Sequence, residues 1–204
     1  KETNFDWWKK RFKRQYELVD VLRLDHFRAL ASFWRIDGKA KNAIEGCWIN
    51  SPGKDLLNAL KDYLGVENLP IIAEDLGIID DEVIDLRTYF GLPGMKILQF
   101  AFDGNDDNPY LPHNIKGNNW VVYTGTHDNS TTISWWNNLD KKMKENIHKQ
   151  YDFSNDPSWQ LIELGMKTNA NLFISPIQDI LRLDDLSRIN KPGTIKNNWK
   201  WKIK

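Results

Sequence analysis

The 204-residue sequence predicts an α/β fold in which parallel strands are covered on both faces by helices. Two observations carry that prediction. Short apolar runs alternate with longer stretches of helical period, and no Gly- or Ser-rich linker interrupts the alternation. With 41% hydrophobic and 27% charged residues the chain can bury a core, so residues 1–204 read as a single domain.

Each element follows from its local pattern. Phe5, Trp8, Phe12, Tyr16 and Val19 recur at steps of three and four, which makes Asn4 to Leu18 an amphipathic helix. Five apolar runs read as strands: Val19 to Leu24, Leu69 to Ala73, Met95 to Phe102, Trp120 to Thr124 and Asn171 to Ser175. Ser51-Pro52-Gly53 is turn punctuation ahead of a helix from Lys54 to Leu64, and Gly65 sits where helices prefer a left-handed cap. Asp80 can cap a helix over Asp81 to Tyr89, which Gly91-Leu92-Pro93-Gly94 breaks. Asp103 to Asn119 holds two prolines, two glycines and five asparagines and reads as a long loop. A helical region runs from Asn129 to about Gln150, a turn surrounds Asn155-Asp156-Pro157, and another helix covers Ser158 to Lys167. The tail from Asp184 to Lys204 has no clear period, and its Asn190-Lys191-Pro192-Gly193 marks another loop.

Composition excludes several functions. Lys plus Arg and Asp plus Glu both total 28, so no broad field draws the chain to nucleic acid or an anionic membrane. The single Cys47 cannot form an internal disulfide, fits a reducing compartment and reads as a small buried apolar residue. No run approaches the roughly 18 apolar residues of a membrane span, and no signal-peptide pattern opens the sequence. Position 1 is Lys, not Met, so the start is expected to belong to a longer protein. His26, His113, His127 and His148 lack metal-ligand spacing, and no metal is expected. Of the ten tryptophans, Trp7, Trp8, Trp135, Trp136 and Trp159 fall in helical stretches and are expected to be buried. Trp48 and Trp120 lie nearer the loops; burial is expected for them too, although an aromatic face there can serve as a platform for a sugar.

The acids are placed unevenly. Three of the five strand runs end in a carboxylate inside a polar cluster: Arg23-Leu24-Asp25-His26, Ala73-Glu74-Asp75-Leu76-Gly77 and Thr124-Gly125-Thr126-His127-Asp128-Asn129. In a parallel barrel the carboxyl ends of all strands open on one face, and Asp25, Glu74 and Asp128 would then converge. Like charges in one cleft raise the proton affinity of at least one acid, while Arg23, His26 and His127 would hold the others ionised. That split of acid from base is what cleavage of a glycosidic bond needs. Plainer roles exist: Asp25 and Asp128 as helix caps, and one of Glu74 and Asp75 as a structural or surface charge.

The segments "RLDHFRAL", "IIAEDLG", "GLPGMKILQFAF", "NPYLPHN", "VVYTGTHDN", "PIQDIL" and "NKPGTIKNNWKWK" resemble, in this order, the carboxyl-terminal portion of the 4-alpha-glucanotransferases, or amylomaltases, of the alpha-amylase superfamily. The resemblance implies a (β/α)8 TIM barrel of which this chain holds about strands 4 to 8, the amino-terminal strands being absent. It implies a retaining double displacement on alpha-1,4-glucans and maltooligosaccharides without a cofactor. Asp25 would be the nucleophile, Glu74 the general acid and then base, and Asp128 the third acid, gripping sugar hydroxyls. Arg23 would keep Asp25 ionised, His26 and His127 would hydrogen-bond the donor sugar, and Asp103 is a further substrate-contact candidate. Family members commonly continue "HDN" with Asp, where this sequence has Ser130. A cytoplasmic or plastid-stroma location follows from family habit and cysteine usage. An alpha-glucan hydrolase and a non-catalytic glucan-binding fragment stay open as alternatives, and oligomeric state stays unassigned.

Overall fold

Parallel pairing of β1 (Leu22–Leu24) with β4 (Ile71–Ala73) brings the first two apolar runs together, with Leu22 opposite Ile71, Arg23 opposite Ile72 and Leu24 opposite Ala73. The computed structural model describes residues 3–77, 79–151, 153 and 156–203. Asn155, part of the expected turn, lies outside them. The chain is α/β and divides into two units, residues 1–95 and 96–204.

In the first unit, α1 (Asp6–Tyr16) turns Phe12 into a core with Phe27, Leu57, Leu60, Ile71 and Val83. Phe5, Trp8 and Tyr16 pack against that cluster, as the helical period requires. Trp7 departs from expectation: it is 61% exposed, because it stands on the outer face beside the Arg11 guanidinium, edge-on to Trp8. The α2 helix (Gly53–Leu64) buries Leu56, Leu57 and Leu60, and Gly65 closes it at φ 66° in the left-handed region. In α3 (Asp81–Tyr89), the Asp80 side chain caps the helix by accepting from the Val83 N–H.

A hairpin absent from the sequence reading lies between β1 and α2. β2 (Ser32–Arg35) pairs antiparallel with β3 (Cys47–Asn50). Both are four-residue strands with mostly exposed side chains, joined by cross-strand pairing that no local pattern announces. For the same reason Cys47 is exposed, not buried, with the Arg35 guanidinium 3.5 Å from its Sγ.

The second unit begins within β5 (Gly94–Ile97), which neighbours β6 (Trp120–Tyr123); β6 pairs in parallel with β7 (Leu172–Ile174). Its core gathers Leu98, Leu111, Val122, Ile147, Phe153 and Leu161. All five apolar runs thus contain a strand, each shorter than its run. Val19 and Val21 are exposed and precede the β1 ladder, and after Ile97 the chain tightens into a 3-10 turn, Leu98–Phe100. The helical region after Asn129 is two helices, α4 (Thr132–Asn138) and α5 (Lys141–Tyr151). The Asp140 side chain accepts from the Met143 N–H at 2.7 Å and restarts the helix there. Then follow α6 (Pro157–Met166) and a short α7 (Ile177–Ile180). Among the described residues no helix is long and apolar enough to cross a membrane.

Candidate active site

The β1–β4 register places the candidate residues of the first unit. Leu24 and Ala73 are the last paired residues, so Asp25 and Glu74 are the next residues on two adjacent, parallel strand ends. The Arg23 guanidinium, held near the Met95 sulfur at 3.4 Å, meets Asp25 with its Nη1 2.8 Å from Oδ1. The Asp25 side chain is 76% exposed, open to a ligand. It caps no helix: the 3-10 turn Phe27–Leu30 starts at His26 without a side-chain cap.

His26 adopts φ 50° and ψ 51°, the left-handed region that costs a non-glycine residue about 1–2 kcal/mol. In that conformation its N–H donates to Glu74 Oε2 at 2.7 Å, and the Leu76 N–H donates to Glu74 Oε1 at 3.1 Å. Two backbone donors therefore set the direction of the Glu74 carboxyl. The next acid differs. Asp75 turns inward, accepting from the Met95 N–H at 2.8 Å and facing Arg87 Nε at 3.1 Å, with side-chain exposures of 7% for Asp75 and 10% for Arg87. Of the adjacent pair, Asp75 is the structural charge. Arg28 lies 4.4 Å from the exposed Trp48 ring and reaches Asp80 at 2.6 Å. That hydrogen bond holds the Asp80 carboxyl below its ordinary value.

In the second unit the loop after β6 carries His127 and Asp128. Asn129 ties its start, accepting from the Thr126 N–H at 2.9 Å and hydroxyl at 2.8 Å. Asp128 does not cap α4 either; Thr131 does, accepting from the Ser134 N–H. The His127 Nε2 lies 3.4 Å from Asp128 Oδ1. Three residues of the tail close on this loop. Asn190 Nδ2 donates to Asp128 Oδ1 at 2.6 Å, Arg188 Nη2 donates to the Asp128 carbonyl at 2.6 Å, and the Trp199 ring lies 5.2 Å from the His127 ring.

The ends of that loop are tied by Asp179, a carboxylate 1% exposed. It accepts from the Thr124 hydroxyl at 2.6 Å, the Thr132 N–H at 2.7 Å and the Thr132 hydroxyl at 2.8 Å. One buried acid on α7 thus joins the end of β6 to the start of α4. Asp103 sits elsewhere in the unit, in a cleft of about 440 Å3 whose lining includes Phe102, Leu111, Asp140 and Ile147 but neither His127 nor Asp128. The Asn105 backbone N–H, at 2.9 Å, and then the Asn108 side chain hold its carboxyl below the ordinary value.

The geometry therefore brings Arg23, Asp25, His26 and Glu74 together, and separately His127 and Asp128. A family model for glycoside hydrolase family 77, described as 4-alpha-glucanotransferase, matches residues 1–204. The chain belongs to the 4-alpha-glucanotransferase family. A 4-alpha-glucanotransferase of Synechocystis sp. is 45% identical over 204 residues, covering 99% of this chain and 40% of the relative. A chloroplastic/amyloplastic 4-alpha-glucanotransferase of Arabidopsis thaliana is 45% identical over 201 residues, covering 98% of this chain and 34% of the relative. The amylomaltase of Streptococcus agalactiae, solved in complex with acarbose, superposes with a TM-score of 0.91 at 35% identity, over 100% of this chain and 41% of that one. The chain spans between a third and about two fifths of the length of these 4-alpha-glucanotransferases.

Asp179, Arg188, Asn190 and Trp199 hold the loop that carries His127 and Asp128, a role the sequence did not announce. Asp179 left one usable signal, an acid inside the apolar run Ile177-Gln178-Asp179-Ile180. Asn190 and Trp199 lie in "NKPGTIKNNWKWK", one of the segments that carry the resemblance, while Arg188 lies outside those segments; the contacts of all three depend on a fold-back that no periodicity announces.

Proposed function

We propose that this chain carries the catalytic acids of a 4-alpha-glucanotransferase, working as the carboxyl-terminal part, about strands 4 to 8, of one (β/α)8 catalytic domain in a longer polypeptide. The observation that carries the reading is the placement of Asp25 and Glu74 directly after the last paired residues of adjacent parallel strands. Neighbouring strands run about 4.8 Å apart. Acids there suit a retaining pair, whose carboxyl groups stand about 5–5.5 Å apart.

In the first step an Asp25 oxygen attacks the anomeric carbon of an alpha-1,4-glucan, while Glu74 gives its proton to the departing O4, leaving a glucosyl ester on Asp25. In the second, Glu74 takes the proton from the 4-hydroxyl of an acceptor sugar, whose oxygen attacks the same carbon and releases Asp25. Two inversions restore the alpha configuration. Asp128 grips sugar hydroxyls, His26 and His127 hydrogen-bond the glucan, Arg23 supports the Asp25 charge, and Asp103 is a further glucan contact. The chemistry uses side chains alone and draws on no cofactor. The location that goes with it is the cytoplasm or a plastid stroma.

The experiment is a chimera in which this chain replaces the aligned segment of the Synechocystis enzyme, incubated with maltotriose. The expected products are a ladder of longer maltooligosaccharides plus glucose, and Asp25→Ala abolishes both. Normal turnover in Asp25→Ala would remove the nucleophile assignment. Glucose released without any ladder would replace transfer by hydrolysis.

A further inference from the structure

The carboxyl-terminal tail supplies contacts that the proposed acid triad does not account for. Arg188, with its side chain 19% exposed, spends its donors on one loop and on the tail itself. Its Nη2 donates to the Asp128 carbonyl at 2.6 Å, its Nη1 to the Ser130 hydroxyl at 3.0 Å, and its Nε to the Asn190 carbonyl at 2.9 Å. Asn190 bonds twice to the same loop: its backbone N–H reaches the His127 carbonyl at 3.1 Å, and its side-chain amide reaches Asp128 Oδ1 at 2.6 Å. Farther along, Asn197 and Trp199 hold φ of 64° and 59°, a conformation that L-residues with side chains rarely adopt. The Trp199 N–H bonds back to the Ile189 carbonyl at 2.7 Å, which returns the indole to the His127 ring. Such strain persists only where surrounding contacts enforce it.

From this geometry we infer that Asn190 and Arg188 are positioning residues for Asp128: Arg188 fixes the backbone of the loop, and the Asn190 amide orients the carboxylate so that one oxygen is held and the other is presented to sugar hydroxyls. The inference rests on the reading of Asp128 as the third acid. A carboxylate 47% exposed, with His127 Nε2 at 3.4 Å as its other side-chain neighbour, would otherwise keep more rotational freedom in water. One directed N–H donor removes that freedom before the sugar arrives, which is how preorganisation raises affinity.

Two measurements test it. In the 204-residue chain, the two Asn190 side-chain amide protons should resonate far apart and exchange slowly with solvent, and Asp128→Ala should bring them together; an averaged, fast-exchanging amide in the unmodified chain overturns the inference without any ligand. In the chimera, acarbose affinity is measured for the parent, Asn190→Ala, Asp128→Ala and the double variant. Asn190→Ala should weaken binding about 10- to 100-fold, the range of a charge-assisted hydrogen bond. In the Asp128→Ala background it should add nothing. Additive losses would make Asn190 a support for the tail and not for the carboxylate. Asn190→Asp keeps the shape but sets a second carboxylate against the first, so it should lose at least as much as the alanine variant; parent-like affinity there refutes the inference even if the alanine variant misfolds. Undiminished affinity in Asp128→Ala alone would sink the underlying reading of Asp128, so the two failures are told apart.

Discussion

Asp179→Ala is expected to lower the stability of the second unit by about 2–4 kcal/mol, although the residue touches no proposed substrate group. The magnitude comes from three donors that end on one buried carboxylate. Removing it leaves the Thr132 N–H, in a residue with 0% exposure, without a partner, at about 1–3 kcal/mol for a buried orphan donor. The Thr124 hydroxyl has an alternative in Ser175 Oγ, 3.3 Å away, so its loss is partial. The Gln99 side-chain amide, 3.4 Å away, donates to the Thr132 hydroxyl oxygen and so does not replace the acceptor that the Thr132 O–H loses. The lost carboxyl volume adds a small cavity. With a urea dependence of about 2 kcal/mol per molar, the midpoint should fall by about 1–2 M. Urea unfolding followed by two-dimensional amide NMR reads the second unit alone, and hydrogen exchange should report early loss of protection at Thr132. Asp179→Asn, which keeps one acceptor oxygen and lets both hydroxyls rotate to accept, should lose about half as much. An unchanged midpoint with Thr132 still protected in Asp179→Ala would refute the reasoning.

Three further outcomes follow from the first unit. Arg87→Ala should destabilise it by about 3–5 kcal/mol, because it leaves the Asp75 carboxylate buried beside a vacancy; Arg87→Met with Asp75→Leu should recover much of that loss in a thermal melt. Asp80 has a folded value below the ordinary 3.8, so its pairing with Arg28 contributes fully above that pH and is lost as the pH falls through the depressed value. An acid titration followed by circular dichroism should therefore show a shallower decline below pH 3.8 for Asp80→Asn than for the parent. Gly53→Ala would drive its Cβ into the Leu30 carbonyl group at the end of the turn that follows His26. The overlap should cost about 1–3 kcal/mol despite the better helix former, seen as a lower melting temperature with shifted His26 and Leu30 amide resonances.

What the sequence determined by itself is local and periodic. Helical spacing turned Phe12 inward, Asp80 and Gly65 placed a start and a stop, and the apolar runs located β1, β4, β5, β6 and β7. It also placed Asp25 and Glu74 at strand ends, because an acid directly behind an apolar run has to lie where the ladder stops. Tertiary structure decided whatever depends on partners distant in the chain. The β2–β3 hairpin forms through pairing, not burial, so Cys47 faces solvent. Trp7 and Trp8 share one helical pattern, yet which of the two rings meets the core is set by where α1 lies against it. Asp75 and Glu74 are indistinguishable as neighbours in sequence; Arg87, twelve residues past Asp75, turns one inward, while the left-handed His26 aims its N–H at the other. Asp179 and Asn190 act on a loop far earlier in the chain, with partners 47 and 55 positions before Asp179 and 62 before Asn190. Hydrogen bonds at that separation leave no period in a sequence, because their donors and acceptors meet only after the chain has folded.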